Sequence, residues 1–240
     1  MAGRSSSGWA AKRFWTEVQV VHEPGGFGIG LDNRRVKTPA KASLLVPTEP
    51  LARAIAAEWQ AQQGVIDPAT MPFTRSANSA IDKVAPQRAE VTDLIADYGD
   101  ADLICYRATA PDRLIRRQAA AWDPLLAWSA GLGAPLTAQS GVMHVAQAPA
   151  ALAALRARIE ALDLFALTAF HDLVSLSGSL VIGLAVIEAL HPPERLWELS
   201  RIDETWAVEV WGADEEAVAA GAAKQRDFLH AAAFYTLSRG

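Results

Sequence analysis

Thr48 to Gly64 reads TEPLARAIAAEWQAQQG, and here the chain changes its period. The Thr48 hydroxyl suits a helix cap and Pro50 suits a first turn. Leu51, Ile55 and Trp59 recur at i, i+4 and i+8, on one face of a helix. Gly64 ends the stretch. Upstream, the residues favour strands. Arg13 to Glu23 (RFWTEVQVVHE) is rich in β-branched and aromatic side chains, and Pro24-Gly25-Gly26 interrupts it. Phe27 to Leu31 alternates apolar residues with glycine, and Asp32-Asn33 supplies turn chemistry. Arg35 to Val46 holds one or two further short strands, interrupted by Pro39. These segments predict an antiparallel meander.

Downstream, Asp67 to Pro72 reads as a loop with two prolines, and Phe73 to Val84 as a polar helical stretch. From Pro86 onward the pattern is helical, apart from some strand character over Leu103 to Arg107. The spacing predicts helices near 86–98, 111–131, 147–161, 163–190, 193–211 and 213–238. Gly99, Gly131 to Pro135, Asp163, Pro192-Pro193 and Gly212 separate them. The expected fold is therefore α+β. A small N-terminal β-meander plus helix domain covers 1–85, and a larger all-α C-terminal domain covers 86–240.

Composition narrows the function classes. The chain has 240 residues, 51% of them hydrophobic and 20% charged. That length can bury roughly 70–75% of the unfolded surface, and the apolar content excludes disorder. A single cysteine, Cys105, excludes a disulfide scaffold and fits a reducing compartment. The net charge of −5, from 22 basic and 27 acidic residues, speaks against a nucleic-acid partner. Met1 to Ala11 has no apolar core of a secretory signal and reads as a frayed terminus. The longest uncharged run, Leu173 to Ile187, is shorter than the ~20 residues that span a bilayer. It reads as a buried helix, so no stable membrane insertion is expected.

Few residues suggest chemistry. Gly26, Gly28 and Gly30 follow a strand, but Gly30 leads into a turn rather than a helix, so a phosphate would find no helix N-terminus. A glycine-rich hairpin is the better reading, and no cofactor is expected. His22, His144, His171, His191 and His230 have no metal-ligand spacing among them. Cys105 lacks a nucleophile signature and reads as a small buried residue. His171 and Ser175 share a predicted helix at i, i+4, which would place a base near a hydroxyl, but a straight helix offers no oxyanion hole. Ser175, Ser179 and Gly183 at i, i+4, i+8 read instead as a groove for close helix packing. A hydrolase built on His171/Ser175, or on the acid cluster described next, remains the alternative.

Ser200 to Ala217 (SRIDETWAVEVWGADEEA) is the most distinctive segment. It carries six acids, Asp203, Glu204, Glu209, Asp214, Glu215 and Glu216, and no base after Arg201. Trp206 and Trp211 lie among them. Acids mixed with large aromatics suit a docking surface, where aromatics supply contact area and charge sets orientation. The bland reading is a solvated helix face with both tryptophans in the core. Asp214 to Glu216 also sit where a helix N-terminus favours acids. Of the other tryptophans, Trp59 continues a core face as a packing anchor, and Trp122 and Trp128 share one helix with Leu125 and Leu132.

Four stretches together resemble a known family: Leu31 to Pro39 (LDNRRVKTP), Leu51 to Gln63 (LARAIAAEWQAQQ), Met71 to Val84 (MPFTRSANSAIDKV) and Ser200 to Gly212 (SRIDETWAVEVWG). They look like the assembly chaperone of the ATP synthase F(1) sector that holds the alpha subunit before the hexamer forms. Order and spacing match from about Phe14 to Leu237, and the third stretch is the sharpest. The resemblance implies an α+β domain followed by a helical one. It implies a chaperone rather than an enzyme, with no nucleotide bound and the alpha subunit as client. It implies a location in the bacterial cytoplasm, or in the mitochondrial matrix for a eukaryotic member. The family's important acid falls on the stretch matched by Asp203-Glu204, commonly Glu-Glu, where this chain has Asp first. The expected client-binding residues are Asp203, Glu204, Trp206, Glu209 and Trp211, on a monomer with no metal site and no catalytic residue.

Overall fold

The computed structural model describes residues 12–240, so the reading of Met1 to Ala11 falls outside them. The described residues form two compact units. One runs to Lys83 and is completed by Leu237–Gly240, and the other is Val84–Thr236.

In the first unit, strands β1 (Val18–Glu23) and β2 (Gly26–Leu31) make an antiparallel hairpin, with Val18 opposite Leu31 and Glu23 opposite Gly26. The glycine-rich run is thus one arm of a hairpin. The short strands β3 (Arg34–Arg35) and β4 (Leu45–Val46) both pair with β2. Helix α1 (Glu49–Ala61) starts as the sequence predicts. The Thr48 hydroxyl accepts the Leu51 N–H at 3.3 Å and donates to the Leu237 carbonyl. Leu51 and Ile55 are fully buried, while Trp59 is half-buried and meets Trp15 edge-on at 5.3 Å.

The predicted loop at 67–72 contains a 3-10 turn, Pro68–Thr70, and leads into α2 (Pro72–Ser79). Met71 offers no side-chain cap there, and a carboxylate from α1 replaces it. Glu58 accepts the Phe73 N–H (2.6 Å), the Thr74 N–H (2.8 Å) and the Thr74 hydroxyl (2.7 Å). Burial pushes the Glu58 carboxyl above its ordinary range, and those three bonds oppose the shift. After α2 the helix widens into a π turn, Ala80–Val84. Asp82 on that turn accepts the Thr38 hydroxyl (2.6 Å) and the Ala40 N–H (3.0 Å). Two of the family-like stretches, Leu31 to Pro39 and Met71 to Val84, therefore clasp each other.

The second unit is helical: α3 (Arg88–Asp97), α4 (Asp112–Gly131), α5 (Pro149–Glu160), α6 (Leu164–Ser177), α7 (Leu180–Ile187), α8 (Pro193–Ser200), α9 (Ile202–Trp211) and α10 (Glu215–Arg239) up to Thr236. The strand character at Leu103 to Arg107 resolves into a 3-10 turn and two residues, β5 (Tyr106–Arg107). These pair in parallel with β6 (Gln139–Ser140). The architecture is α+β, as expected.

Two helices expected to be continuous are broken. The one predicted over 163–190 is two, because Gly178 turns the chain at φ 76° and Ser179 then caps α7 through its hydroxyl, which accepts the Ile182 N–H at 3.0 Å. So Leu173 to Ile187 is a buried helical hairpin rather than one helix. Ser175, Ser179 and Gly183 do not form one groove. Gly183 instead faces back onto α6, where a Cβ would stand 2.7 Å from Val174 Cγ2 and 3.0 Å from Phe170 Cε2. The helix predicted over 193–211 also divides, at Arg201 (φ −114°, ψ 24°).

Asp102 supports the break between α6 and α7. It is fully buried, and its two oxygens accept the Ile104 N–H (3.1 Å) and the Val181 N–H (3.0 Å). Trp122 sits at the centre of the core with Leu125 and donates Nε1–H to the Leu199 carbonyl at 2.7 Å. No helix among the described residues is long and apolar enough to cross a membrane.

Candidate functional site

Helix α9 carries the acidic segment, and its residues take different roles. Asp203 is exposed, and its carboxylate accepts a hydrogen bond from Gln118 Nε2 at 2.7 Å. Gln118 is buried on α4, and its Oε1 accepts the Ala108 N–H at 2.8 Å. Asp203 is thus held in place by a two-bond relay to the backbone just beyond β5. Beside it lies a groove of about 310 Å³ lined by Tyr106, Arg107, Leu114 and Val142. Glu204 pairs with Arg201 one turn earlier at 2.8 Å. Glu209 receives Arg117 Nη1 on both oxygens, at 2.8 and 2.7 Å.

The two tryptophans separate. Trp206 is half-buried against the core, under the Arg113 guanidinium at 5.5 Å. Trp211 is 79% exposed. The bland reading, with both tryptophans in the core, therefore holds in part for Trp206 and fails for Trp211. Trp211 is the last residue of α9, beside the turn at Gly212 (φ 89°). Val208, Val210 and Val218, near Trp211 in the sequence, are also exposed. Asp214 caps α10, with its carboxylate accepting the Ala217 N–H at 2.8 Å, and Glu215 and Glu216 stand in the first turn. The surface is thus an exposed apolar corner, Val208 to Val218, interleaved with Glu209, Asp214, Glu215 and Glu216.

Sequence reasoning missed two features. The bases that hold the segment come from α4, where Arg113 and Arg117 lie at i, i+4. That spacing was the available signal, but nothing local tied it to a helix some 90 residues later. The loop after β6 also exposes Val142 (92%), Met143 (78%) and Val145. Its His144 lies 3.1 Å from Asp100.

The rival site does not assemble. His171 Nδ1 engages Asp172 at 2.9 Å, and Ser175 is exposed on α6 with no hydrogen bond to the imidazole. The groups with strongly altered proton affinity are structural. Burial raises Asp102 to about 6 against the hydrogen bonds it accepts, and burial with the nearby Asp102 charge raises Cys105 to about 12. Cys105 is the small buried residue the sequence suggests, and a thiol so protonated is no nucleophile.

Comparisons with known proteins agree on one family. Residues 12–130 match the family model described as ATP12 chaperone protein. The crystal structure of Atp12 from Paracoccus denitrificans is 51% identical, with a TM-score of 0.94 over 97% of this chain and 100% of that one. A crystal structure from Agrobacterium tumefaciens is 39% identical, with a TM-score of 0.89 over 94% and 85%. The mitochondrial protein atp12 of Schizosaccharomyces pombe is 24% identical over 86% of this chain and 75% of its own length.

Proposed function

The chain belongs to the ATP12 chaperone family, whose members are assembly chaperones of the ATP synthase and not enzymes, and on that premise we propose that it binds the unassembled alpha subunit of the F(1) sector and shields its subunit interface until the beta subunit replaces it. The hydrolase alternative is set aside with the enzyme class. The work takes place where F(1) assembles, in the bacterial cytoplasm or the mitochondrial matrix.

What supports a client-binding face at the α9–α10 corner is one observation: Trp211 is 79% exposed, in a short segment that also exposes Val208, Val210 and Val218 and carries six acids. An apolar patch on an unassembled subunit is an association hazard, and covering it needs matching apolar area. Release to the true partner then requires that area to be modest, with an electrostatic rim setting orientation and rate. The corner has that composition. Gln118, Arg201 and Arg117 donate hydrogen bonds to Asp203, Glu204 and Glu209, which bias these acids toward their places on the rim. The client surface that complements it is apolar with a basic border.

The test is charge reversal. Asp203→Lys and Glu204→Lys, made singly and together, are checked for folding by circular dichroism and then used to pull down the alpha subunit. Loss of retention supports the proposal. Full retention by the folded double variant rejects these acids as client contacts.

A further inference from the structure

The loop after β6 turns three apolar side chains outward: Val142 is 92% exposed, Met143 78% and Val145 52%. Single exposed apolar residues are ordinary, but three within four positions are not scattered. The loop is also tied down by groups other than those side chains. The Gly141 N–H donates to the Arg107 carbonyl at 2.8 Å, and Gln139 Nε2 donates to the Met143 carbonyl at 2.6 Å. Asp100 holds the far end. One of its oxygens accepts the Gln147 N–H at 2.7 Å, and the other lies 3.1 Å from His144 Nε2. The Tyr106 hydroxyl stands 3.3 Å from His144 Nδ1. The apolar tip is thus supported at both ends, and little ordering cost is left for a partner to meet.

Val142 lines the groove of about 310 Å³ together with Asp203, and Leu114 and Tyr106 give that groove further apolar wall. Its charges do not cancel. Arg107, 8% exposed, is already matched, since it pairs with Asp123 at 2.9 Å and lies over the Trp122 ring at 5.2 Å. Asp203 is exposed and forms no ion pair among the described residues. Its Oδ1 accepts from the neutral amide of Gln118, and its Oδ2 has no donor among those residues. Glu204 and Glu209 differ from it, each meeting its own arginine. The groove therefore carries one unmatched negative charge beside exposed apolar side chains.

We propose that the groove and the loop form one docking surface for a segment of the alpha subunit in which a lysine or arginine is flanked by apolar side chains. The cation meets Asp203, and its apolar neighbours cover Val142 and Met143. Two features choose this occupant. A carboxylate without a counter-charge selects a basic side chain and repels an acidic one. The groove is also continuous with the α9 face, because Asp203 belongs to both. A second copy of this chain, at net charge −5, brings the wrong sign. The inference rests on the alpha-subunit reading and adds to it a contact on a different loop from Trp211.

The test measures retention of purified alpha subunit by the immobilised full chain. Val142→Ser with Met143→Ser, at exposed positions, should keep the fold by circular dichroism and weaken binding about tenfold. Asp203→Asn keeps an oxygen for Gln118 and removes the charge. It should weaken binding about threefold and reduce its salt dependence. Leu94→Ser, at an exposed apolar residue of α3 outside the groove, should leave binding unchanged. Full retention by the Val142/Met143 variant, while Trp211→Ala loses alpha, overturns this inference and leaves the α9–α10 reading standing. No retention by the wild type overturns that reading and this inference with it. Equal loss in Leu94→Ser makes the effect nonspecific and also overturns the inference. Self-association of the wild type in sedimentation that the Val142/Met143 variant lacks makes a second copy the occupant and overturns the client assignment.

Discussion

Asp102→Asn should change how the stability of the second unit depends on pH. Asp102 is fully buried and has no cation beside its carboxylate in the contacts described. Burial raises it from the ordinary 3.8 to about 6, although Ser179 and the Val181, Ile104 and Leu180 N–H groups favour the charged form. The folded state therefore holds a proton over a range in which the unfolded chain has lost it. By linkage this contribution is largest below about pH 4 and disappears as pH rises through about 6. The full shift corresponds to about 3 kcal/mol at ~1.4 kcal/mol per unit. Between about pH 4.5 and 7.5 the portion sampled is about 2 kcal/mol. Asparagine cannot titrate, so other groups cancel when the two proteins are compared. Asparagine does place an amide against one backbone N–H, which costs about 1–3 kcal/mol at every pH. Urea denaturation of both proteins across that range is the assay. Wild type should lose about 2 kcal/mol relative to the variant as pH rises. A pH-independent difference, or one of opposite sign, refutes the reasoning.

The other predictions concern packing and reactivity. Gly183→Ala should destabilise, because overpacking against Val174 and Phe170 costs about 1–3 kcal/mol and exceeds the ~1 kcal/mol gain in helix propensity. Gly221→Ala, on α10 with nothing within 4 Å of its Cβ, should stabilise by up to about 1 kcal/mol, and thermal melts of the pair compare the two signs directly. Trp122→Phe removes the donor to Leu199 and puts a smaller ring beneath Arg107, and chemical denaturation should show a loss of about 1–3 kcal/mol. Cys105, held near 12 and buried, should resist a thiol reagent at about pH 8 in the native protein and react once urea unfolds it.

Much of the fold was legible because it depends on local chemistry. Thr48 caps α1 as its position suggests, the Gly26 to Leu31 arm forms a hairpin, and Asp214 begins α10. The break at Gly178 was hidden because α6 and α7 are buried on nearly every side, so their apolar run has no period to interrupt. The acid cluster was visible, but its counter-charges were not. Arg117 and Gln118 reach α9 from 92 and 85 residues away, and sequence spacing carries no record of such pairings. The sharpest family-like motif proved to be framework. Thr74 and Asp82 bind Glu58 and Thr38 within the first unit, while the exposed face lies in the fourth stretch.

The central claim is that the α9–α10 corner holds a client that its true partner then takes away. The direct measurement loads the immobilised protein with purified alpha subunit and titrates the beta subunit, quantifying what stays bound. The account predicts that alpha leaves as beta is added, that beta is not retained, and that Trp211→Ala loads far less alpha at the outset. Stable retention of alpha and beta together, or undiminished loading by Trp211→Ala, would contradict it.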